Sequence, residues 1–272
     1  MKRVLVFDSG VGGLSVLDAI AASNIAVELD YVADNAWLPY GLKTDAELIA
    51  RVPALLRRVA AQRAPDLVVV ACNTASTIAL DHVRTALSVP VVGVVPPIKP
   101  AAAQTQTGVI GLLATPATIR RPYTNDLIAN FAADKRVVRH GSAALVVAAE
   151  AKLRGETPDP GAILEAISGL FGAPGGAEID VVALACTHFP LLAAELAATA
   201  PRPCRWLDSG DAIARRVANL LIMQPGSGAP RAGQALFTDI TAIAALEPAF
   251  ARRGFVTLGG IGPSPDFHLA VN

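Results

Sequence analysis

Apolar residues along this chain come in two rhythms: short unbroken runs alternate with longer stretches in which Leu, Val, Ile and Ala recur every three or four positions. Runs of four to six Val and Leu read as strands buried on both faces, and the wider spacing reads as helices with one apolar stripe. Val4 to Phe7 is the first run. It stops at Asp8-Ser9-Gly10-Val11-Gly12-Gly13, a turn into a helix carrying Leu14, Leu17 and Ala21. A second strand, Leu29 to Val32, leads into the loop Asp34-Asn35-Ala36-Trp37-Leu38-Pro39-Tyr40-Gly41. Thr44 with Glu47 three residues on has the form of a capping box, and Leu48, Val52, Leu55, Leu56 and Val59 follow at helical spacing.

A strand, a cysteine loop and a helix fill 66–88, and Val91 to Val95 is a further strand before the breakers Pro96-Pro97 and Pro100. Val109 to Leu113 is a strand ending at Ala114-Thr115-Pro116-Ala117-Thr118. Helices are expected over 119–132, 143–153 and 161–171, with a strand near 136–139. After a second cysteine strand, Phe189-Pro190-Leu191-Leu192 opens a helix with Pro in its first turn. Leu207-Asp208-Ser209-Gly210 echoes Phe7-Asp8-Ser9-Gly10 and enters another helix, and Gln224 to Gly233 reads as a connector to a strand, helix and strand over 235–258. Strand and helix alternate throughout, which predicts an α/β fold with parallel sheets covered on both faces. The expected architecture is two pseudo-symmetric doubly wound domains with a site in the cleft between them. One is discontinuous, 1–96 plus 208–272, and the other is 97–207.

Symmetry is expected because one pattern occurs twice. Asp66-Leu67-Val68-Val69-Val70-Ala71-Cys72-Asn73-Thr74 recurs as Asp180-Val181-Val182-Ala183-Leu184-Ala185-Cys186-Thr187-His188, with Asp and Cys at one offset of 114 (180 − 66 and 186 − 72). Each run ends at a thiol followed by hydroxyl or amide groups, and carboxyl ends of strands are where open α/β sheets bind ligands. Two buried structural cysteines are the plain alternative, since Cys is among the most buried residue types.

Composition narrows the classes. The 272 residues, 53% hydrophobic and 17% charged, suffice for two cores of ordinary size. Lys and Arg number 23, as do Asp and Glu, so no basic nucleic-acid surface is expected. Three cysteines in a chain this long fit a reducing cytoplasm rather than a disulfide framework. The apolar run after Met1-Lys2-Arg3 is too short for a signal peptide, and no run approaches a membrane span.

Several chemistries can be weighed against these residues. Gly10, Gly12 and Gly13 suggest a dinucleotide turn, but the third fingerprint position is Ser15, and a tight turn of small residues explains the glycines equally well. Cys72, Cys186, His188 and Asp8 could meet at zinc, yet no paired ligand spacing supports it. Hydrolysis by one nucleophile leaves the second thiol without a role. Moving a proton off one face of a carbon and onto the other needs two acid/base groups, one thiolate and one thiol at mid-reaction. Both cysteines precede expected helix starts, where amides and the backbone dipole favour a thiolate.

At this point the residues resemble a known family, the cofactor-independent glutamate racemases of the aspartate/glutamate racemase superfamily. The resemblance rests on Phe7 to Leu14, Asp34 through Pro39-Tyr40-Gly41, Ala71 to Ser76, Gly111 to Thr118, Ala185 to Leu192 and Leu207-Asp208-Ser209, in that order. It implies that Cys72 takes the α-proton from D-glutamate and Cys186 from L-glutamate, with Asp8 and His188 assisting electrostatically. It further implies that Asp8-Ser9, Pro39-Tyr40-Gly41, Asn73-Thr74 and Thr187-His188 bind substrate, with Thr115, Thr118 and Glu150 nearby. Glu150 or Asp8 is expected beside the substrate ammonium. No cofactor and no metal are implied; the product would feed peptidoglycan synthesis in a bacterium, and a homodimer is an allowed assembly. Trp37 and Pro97 depart from many relatives. Only seven residues precede Asp8, whereas some relatives controlled by a cell-wall precursor carry longer extensions, so that control is not expected.

An aspartate or other acidic amino-acid racemase, or a non-catalytic acidic amino-acid binding protein, stays open as an alternative. Elsewhere plainer roles are expected. Cys204 is a packed thiol, and His82, His140 and His268 are solvated or locally bonded. Tyr31 and Trp206 are packing residues, Arg57-Arg58 and Arg215-Arg216 are charged helix faces, and Asp208-Ser209-Gly210 is a cap.

Overall fold

Side chains of the first strand, β1 (Lys2–Asp8), divide between two cores: Val4 and Val6 pack on one face, Leu5 and Phe7 on the other. That two-residue period in a wholly apolar run requires cover on both faces. The computed structural model describes residues 1–262, so His268 and the end of the tail lie outside the described residues. The strands that follow are β2 (Val27–Ala33), β3 (Leu67–Val70), β4 (Val91–Gly93), β5 (Val109–Ala114), β6 (Arg136–Gly141), β7 (Val181–Ala185), β8 (Arg205–Leu207), β9 (Arg231–Phe237) and β10 (Leu258–Gly260). They form a six-stranded sheet ordered β10-β9-β2-β1-β3-β4 and a four-stranded sheet ordered β6-β5-β7-β8. Every recorded pairing is parallel. The block β2-β1-β3-β4 thus repeats as β6-β5-β7-β8, and the two cysteine strands, β3 and β7, hold equivalent places.

Helices supply the covering layers. In chain order they are α1 (Leu14–Ala22), α2 (Asp45–Arg63), α3 (Asn73–Ile78), α4 (Leu80–Ala86), α5 (Ile98–Gln104), α6 (Pro116–Arg120), α7 (Pro122–Phe131), α8 (Ala144–Leu153), α9 (Pro160–Phe171), α10 (Ala193–Thr199), α11 (Gly210–Leu221) and α12 (Glu247–Ala251). On the six-stranded sheet, Leu14, Ile213, Val217 and Phe250 cover one face, and Leu48, Val52, Leu55 and Val83 cover the other. On the four-stranded sheet the two layers come from Leu145, Ile163 and Leu196, and from Ile98 and Ala101.

Local differences from expectation have local causes. The stretch 119–132 is two helices because Pro122 forces Arg121 into an extended conformation, ψ 139°, which ends α6 and starts α7. The helix after Cys72 breaks at Ala79 into α3 and α4. After Cys186, Phe189–Leu192 is a 3-10 turn, and α-helix begins only at Ala193. The end of the expected connector, from Arg231, already belongs to β9. Thr44 caps α2 as foreseen, its hydroxyl accepting from Glu47 N while Glu47 returns to Thr44 N at 2.7 Å.

The paired aspartates that open the repeat anchor strand starts. Asp66 accepts from Arg3 N at 2.8 Å, tying β3 to β1. Asp180 accepts from Gln106 N, Thr107 N and the hydroxyls of Thr105 and Thr107, which fixes the turn into β5. Asp180→Ala strands those donors and should lower the unfolding free energy by about 1–3 kcal/mol. The check is a urea melt: the midpoint should fall at unchanged slope, and an unmoved midpoint contradicts the anchor.

Candidate active site

Four strand tips bring the chemistry together. Cys72 follows β3 and is the N-cap residue of α3, and Cys186 follows β7. One thiol comes from each sheet, both are buried, and both line one cleft. The tips of β1 and β5 add Ser9 and Thr115, also on its wall. Pro39, Tyr40 and Gly41 reach it from the loop after β2, and Asn73, Thr74, Thr118, Thr187 and His188 complete the polar lining. Leu38, Val146 and Ala185 line it as well, and the sequence did not flag them, because an apolar side chain carries no chemical signature.

Asp8 and Glu150 stand just behind that lining, each bonded to a residue on it. Both are already engaged. Asp8 accepts from Gly10 N at 3.1 Å and from the Thr187 hydroxyl at 3.3 Å. Glu150, from α8, accepts from Val11 N at 2.9 Å and lies 2.8 Å from His188 Nε2. His188 Nδ1 in turn lies 3.8 Å from Cys186 Sγ. The acceptor left over in the cleft is Asn73 Oδ1, buried with no hydrogen-bond partner.

The glycine turn is explained by this arrangement and not by a nucleotide. A Cβ on Gly12 would sit 2.4 Å from His188 Nδ1, and one on Gly10 would sit 2.4 Å from Glu150 Oε1. The pair from the second sheet's lobe thus rests on backbone that only glycine can offer. Tyr31, expected to serve only packing, donates its hydroxyl to Gly10 O at 2.9 Å and holds the turn from below. The echo Asp208-Ser209-Gly210 repeats the local bond, Gly210 N donating to Asp208 at 2.6 Å, and Ser209 ties back to Val95 O.

Electrostatically the two thiols differ. Burial pushes the Cys72 thiol up to about 12, the Asp8 charge adds to this, and the Ala75 amide and Ser9 hydroxyl only partly offset it. A helix start therefore does not produce a thiolate here, contrary to the expectation, because desolvation outweighs the amides. The neighbour of Cys186 is a histidine and a 3-10 turn, not a helix dipole. Burial opposes a charged His188, yet its contacts with Cys186 and Glu150 hold it well above its ordinary value. Burial likewise opposes the Glu150 carboxylate, which His188 and the Val11 amide nevertheless keep below its ordinary value. Among the described residues no three His, Cys, Asp or Glu side chains are grouped to hold a metal ion.

Of the remaining candidates, Cys204 is half-buried away from the cleft. His82 is exposed on α4, and His140 lies 3.2 Å from Glu165.

The His188–Glu150 pair sets a pH window. The raised His188 contributes stability fully below its ordinary 6.5 and loses it as pH climbs toward the raised value. The lowered Glu150 contributes fully above its ordinary 4.5 and loses it as pH falls. Their joint contribution is complete between about pH 4.5 and 6.5. Glu150→Gln should remove that maximum from a series of denaturant melts across pH; a variant curve parallel to the unaltered one contradicts the ion pair.

Comparison with known proteins agrees with the cleft. A family model described as Asp/Glu/Hydantoin racemase matches residues 9–217. The glutamate racemase of Sphingopyxis alaskensis is 55% identical over 235 residues, 86% of this chain and 88% of that one. That of Vibrio cholerae is 49% identical, over 84% and 83%. Among solved structures, Escherichia coli glutamate racemase in complex with L-glutamate and the activator UDP-MurNAc-Ala superposes with a TM-score of 0.87 at 44% identity, covering 95% of this chain and 97% of that one. The Thermus thermophilus glutamate racemase, in complex with β-chloro-D-alanine, gives 0.75 at 31% identity, over 97% and 98%. This chain belongs to the Asp/Glu/Hydantoin racemase family, among its glutamate racemases.

Proposed function

We propose that the chain interconverts L- and D-glutamate by proton transfer between Cα and two thiols, without a cofactor. The observation that carries this is the equivalence of Cys72 and Cys186, one at the tip of each repeated cysteine strand and both on one cleft wall. The Cα–H bond of L-glutamate breaks toward the Cys186 sulfur, and the thiol proton of Cys72 passes to the opposite face of the carbanion. The reverse pass starts at Cys72. His188, cationic and 3.8 Å from Cys186, stabilises negative charge on that sulfur. Cys72 is a buried thiol facing Asp8, suited to give a proton, and the incoming ammonium lowers its cost of ionising.

Asn73 Oδ1 is an acceptor we assign to that ammonium, with Asp8 and Glu150, bonded to the lining residues Thr187 and His188, supplying negative charge beside it. Hydroxyls of Ser9, Thr74, Thr115 and Thr118 are the donors assigned to the two carboxylates. The lobes, divided near Pro96 and Leu207, would part to admit substrate, since Tyr40, Thr118 and His188 are almost wholly buried. Glutamate rather than aspartate is favoured by relatives at 43–55% identity that are all glutamate racemases. A role in peptidoglycan supply and a cytoplasmic setting follow from that reading, and no helix among the described residues is long and apolar enough to cross a membrane. The short N-terminus does not weigh against activator control, because the E. coli relative, matched over 97% of its length, was solved with an activator.

Incubation with D-glutamate in heavy water should give α-deuterated L-glutamate and decay of circular dichroism. Cys72→Ala and Cys186→Ala should each lower racemisation by about 10²–10⁴-fold, leaving at most exchange without inversion on the face of the surviving thiol. Full racemisation by either variant removes that residue from the mechanism, and faster turnover of L-aspartate than of L-glutamate overturns the substrate.

A further inference from the structure

The loop that brings Pro39, Tyr40 and Gly41 to the cleft is held by a chain of contacts that the proton transfer does not use. The Tyr40 hydroxyl donates at 2.6 Å to Asp34 Oδ2, and Asp34 lies outside the cleft lining and has no exposed surface. Arg51 grips the same carboxylate with both prongs of its fork, Nε on Oδ2 at 2.6 Å and Nη2 on Oδ1 at 2.7 Å. The guanidinium lies 4.2 Å from the Trp37 ring centre, so the indole covers the ion pair from the loop side. The sequence arranges this locally. Thr44 and Glu47 start α2 directly after the loop, and Arg51 follows two turns later on the face that buries Leu48, Val52 and Leu55.

We propose that Arg51 is a positioning residue for substrate binding, its fork on Asp34 fixing the Tyr40 hydroxyl and so the place of Pro39-Tyr40-Gly41 in the cleft wall. This rests on the racemase reading and adds to it a group that touches no reacting atom. The fork matters, not charge alone. A guanidinium bonds both carboxylate oxygens in one plane, leaving Asp34 a single orientation in which to receive the tyrosine, whereas an ammonium is a point charge. Burial, reinforced by the Asp34 charge, holds the Tyr40 phenol well above its ordinary range, so it remains a donor to Asp34 at all working pH. Trp37 then shields this pair.

Three variants test the assignment: Arg51→Lys, which keeps the charge; Tyr40→Phe, which deletes only the hydroxyl; and the two combined. Rates with L- and D-glutamate should show KM raised roughly tenfold in Arg51→Lys with kcat changed by less than about threefold, the signature of lost binding rather than lost chemistry. Tyr40→Phe should raise KM similarly, and the double variant should be no worse than either single one, because both cut the same chain. Unchanged KM in Arg51→Lys, a fall in kcat alone, or additive losses in the double variant would overturn the proposal. Absence of turnover by the unaltered chain would instead overturn the racemase reading, leaving no substrate to position.

Discussion

An imidazolium and a carboxylate 2.8 Å apart, buried and seated against Gly12 and Gly10 where no Cβ intervenes, join the two halves of this molecule at its site. Burying either charge alone is costly; burying both is tolerated because each offsets the other and Val11 N takes a further lone pair of Glu150. The geometry has no slack. Glu150 reaches the turn at Val11, His188 lies against Gly12, and Ser15 donates to Thr187 O at 2.8 Å. Position of Cys186 relative to Cys72 is inherited from this seam, since Cys186 is two residues from His188 and Cys72 is bonded through Ser9 to the same turn at 3.5 Å.

Backbone symmetry and chemical symmetry part company here. The strand order around the two thiols is the same, and the residues that face them are not. Cys72 has a hydroxyl and a carboxylate for neighbours, while Cys186 has a cation. In the two-thiol transfer we propose, one donor and one acceptor are needed at any instant, and unequal surroundings would bias which is which before substrate arrives. The duplication supplies placement; divergence at Ser9, Asp8 and His188 supplies polarity.

Much of this was legible in the chain because its signals are local. A buried parallel strand reads as an unbroken Val and Leu run, and an Asp-to-Cys frame repeated at fixed offset marks equivalent tips. The capping box at Thr44 is likewise written in four residues. What escaped was long-range or silent. The partners of Glu150, Val11 and His188, are 139 and 38 residues away, and only the folded chain brings them together. Leu38, Val146 and Ala185 line the cleft anonymously. Arg51 resembled any arginine on a helix, and its fork on Asp34 depends on how the loop folds back. The rise at Cys72 was missed for a different reason: capping geometry is visible in sequence, while the depth of burial that outweighs it is not.

One asymmetry of the sheets lies far from the cleft. Beyond β2 the first sheet continues into β9 and β10, whereas β6, the corresponding strand of the second, ends its sheet. A bare rim of backbone amides and carbonyls invites any passing strand to add on. Arg136, Arg139 and His140 all fall on that rim within six residues, and Arg136 and Arg139 are exposed. The exposed charges of Arg136 and Arg139 disfavour edge-to-edge stacking, so among the described residues this sheet meets at its rim, by charge, the hazard that the first sheet moves away from β2 by adding strands.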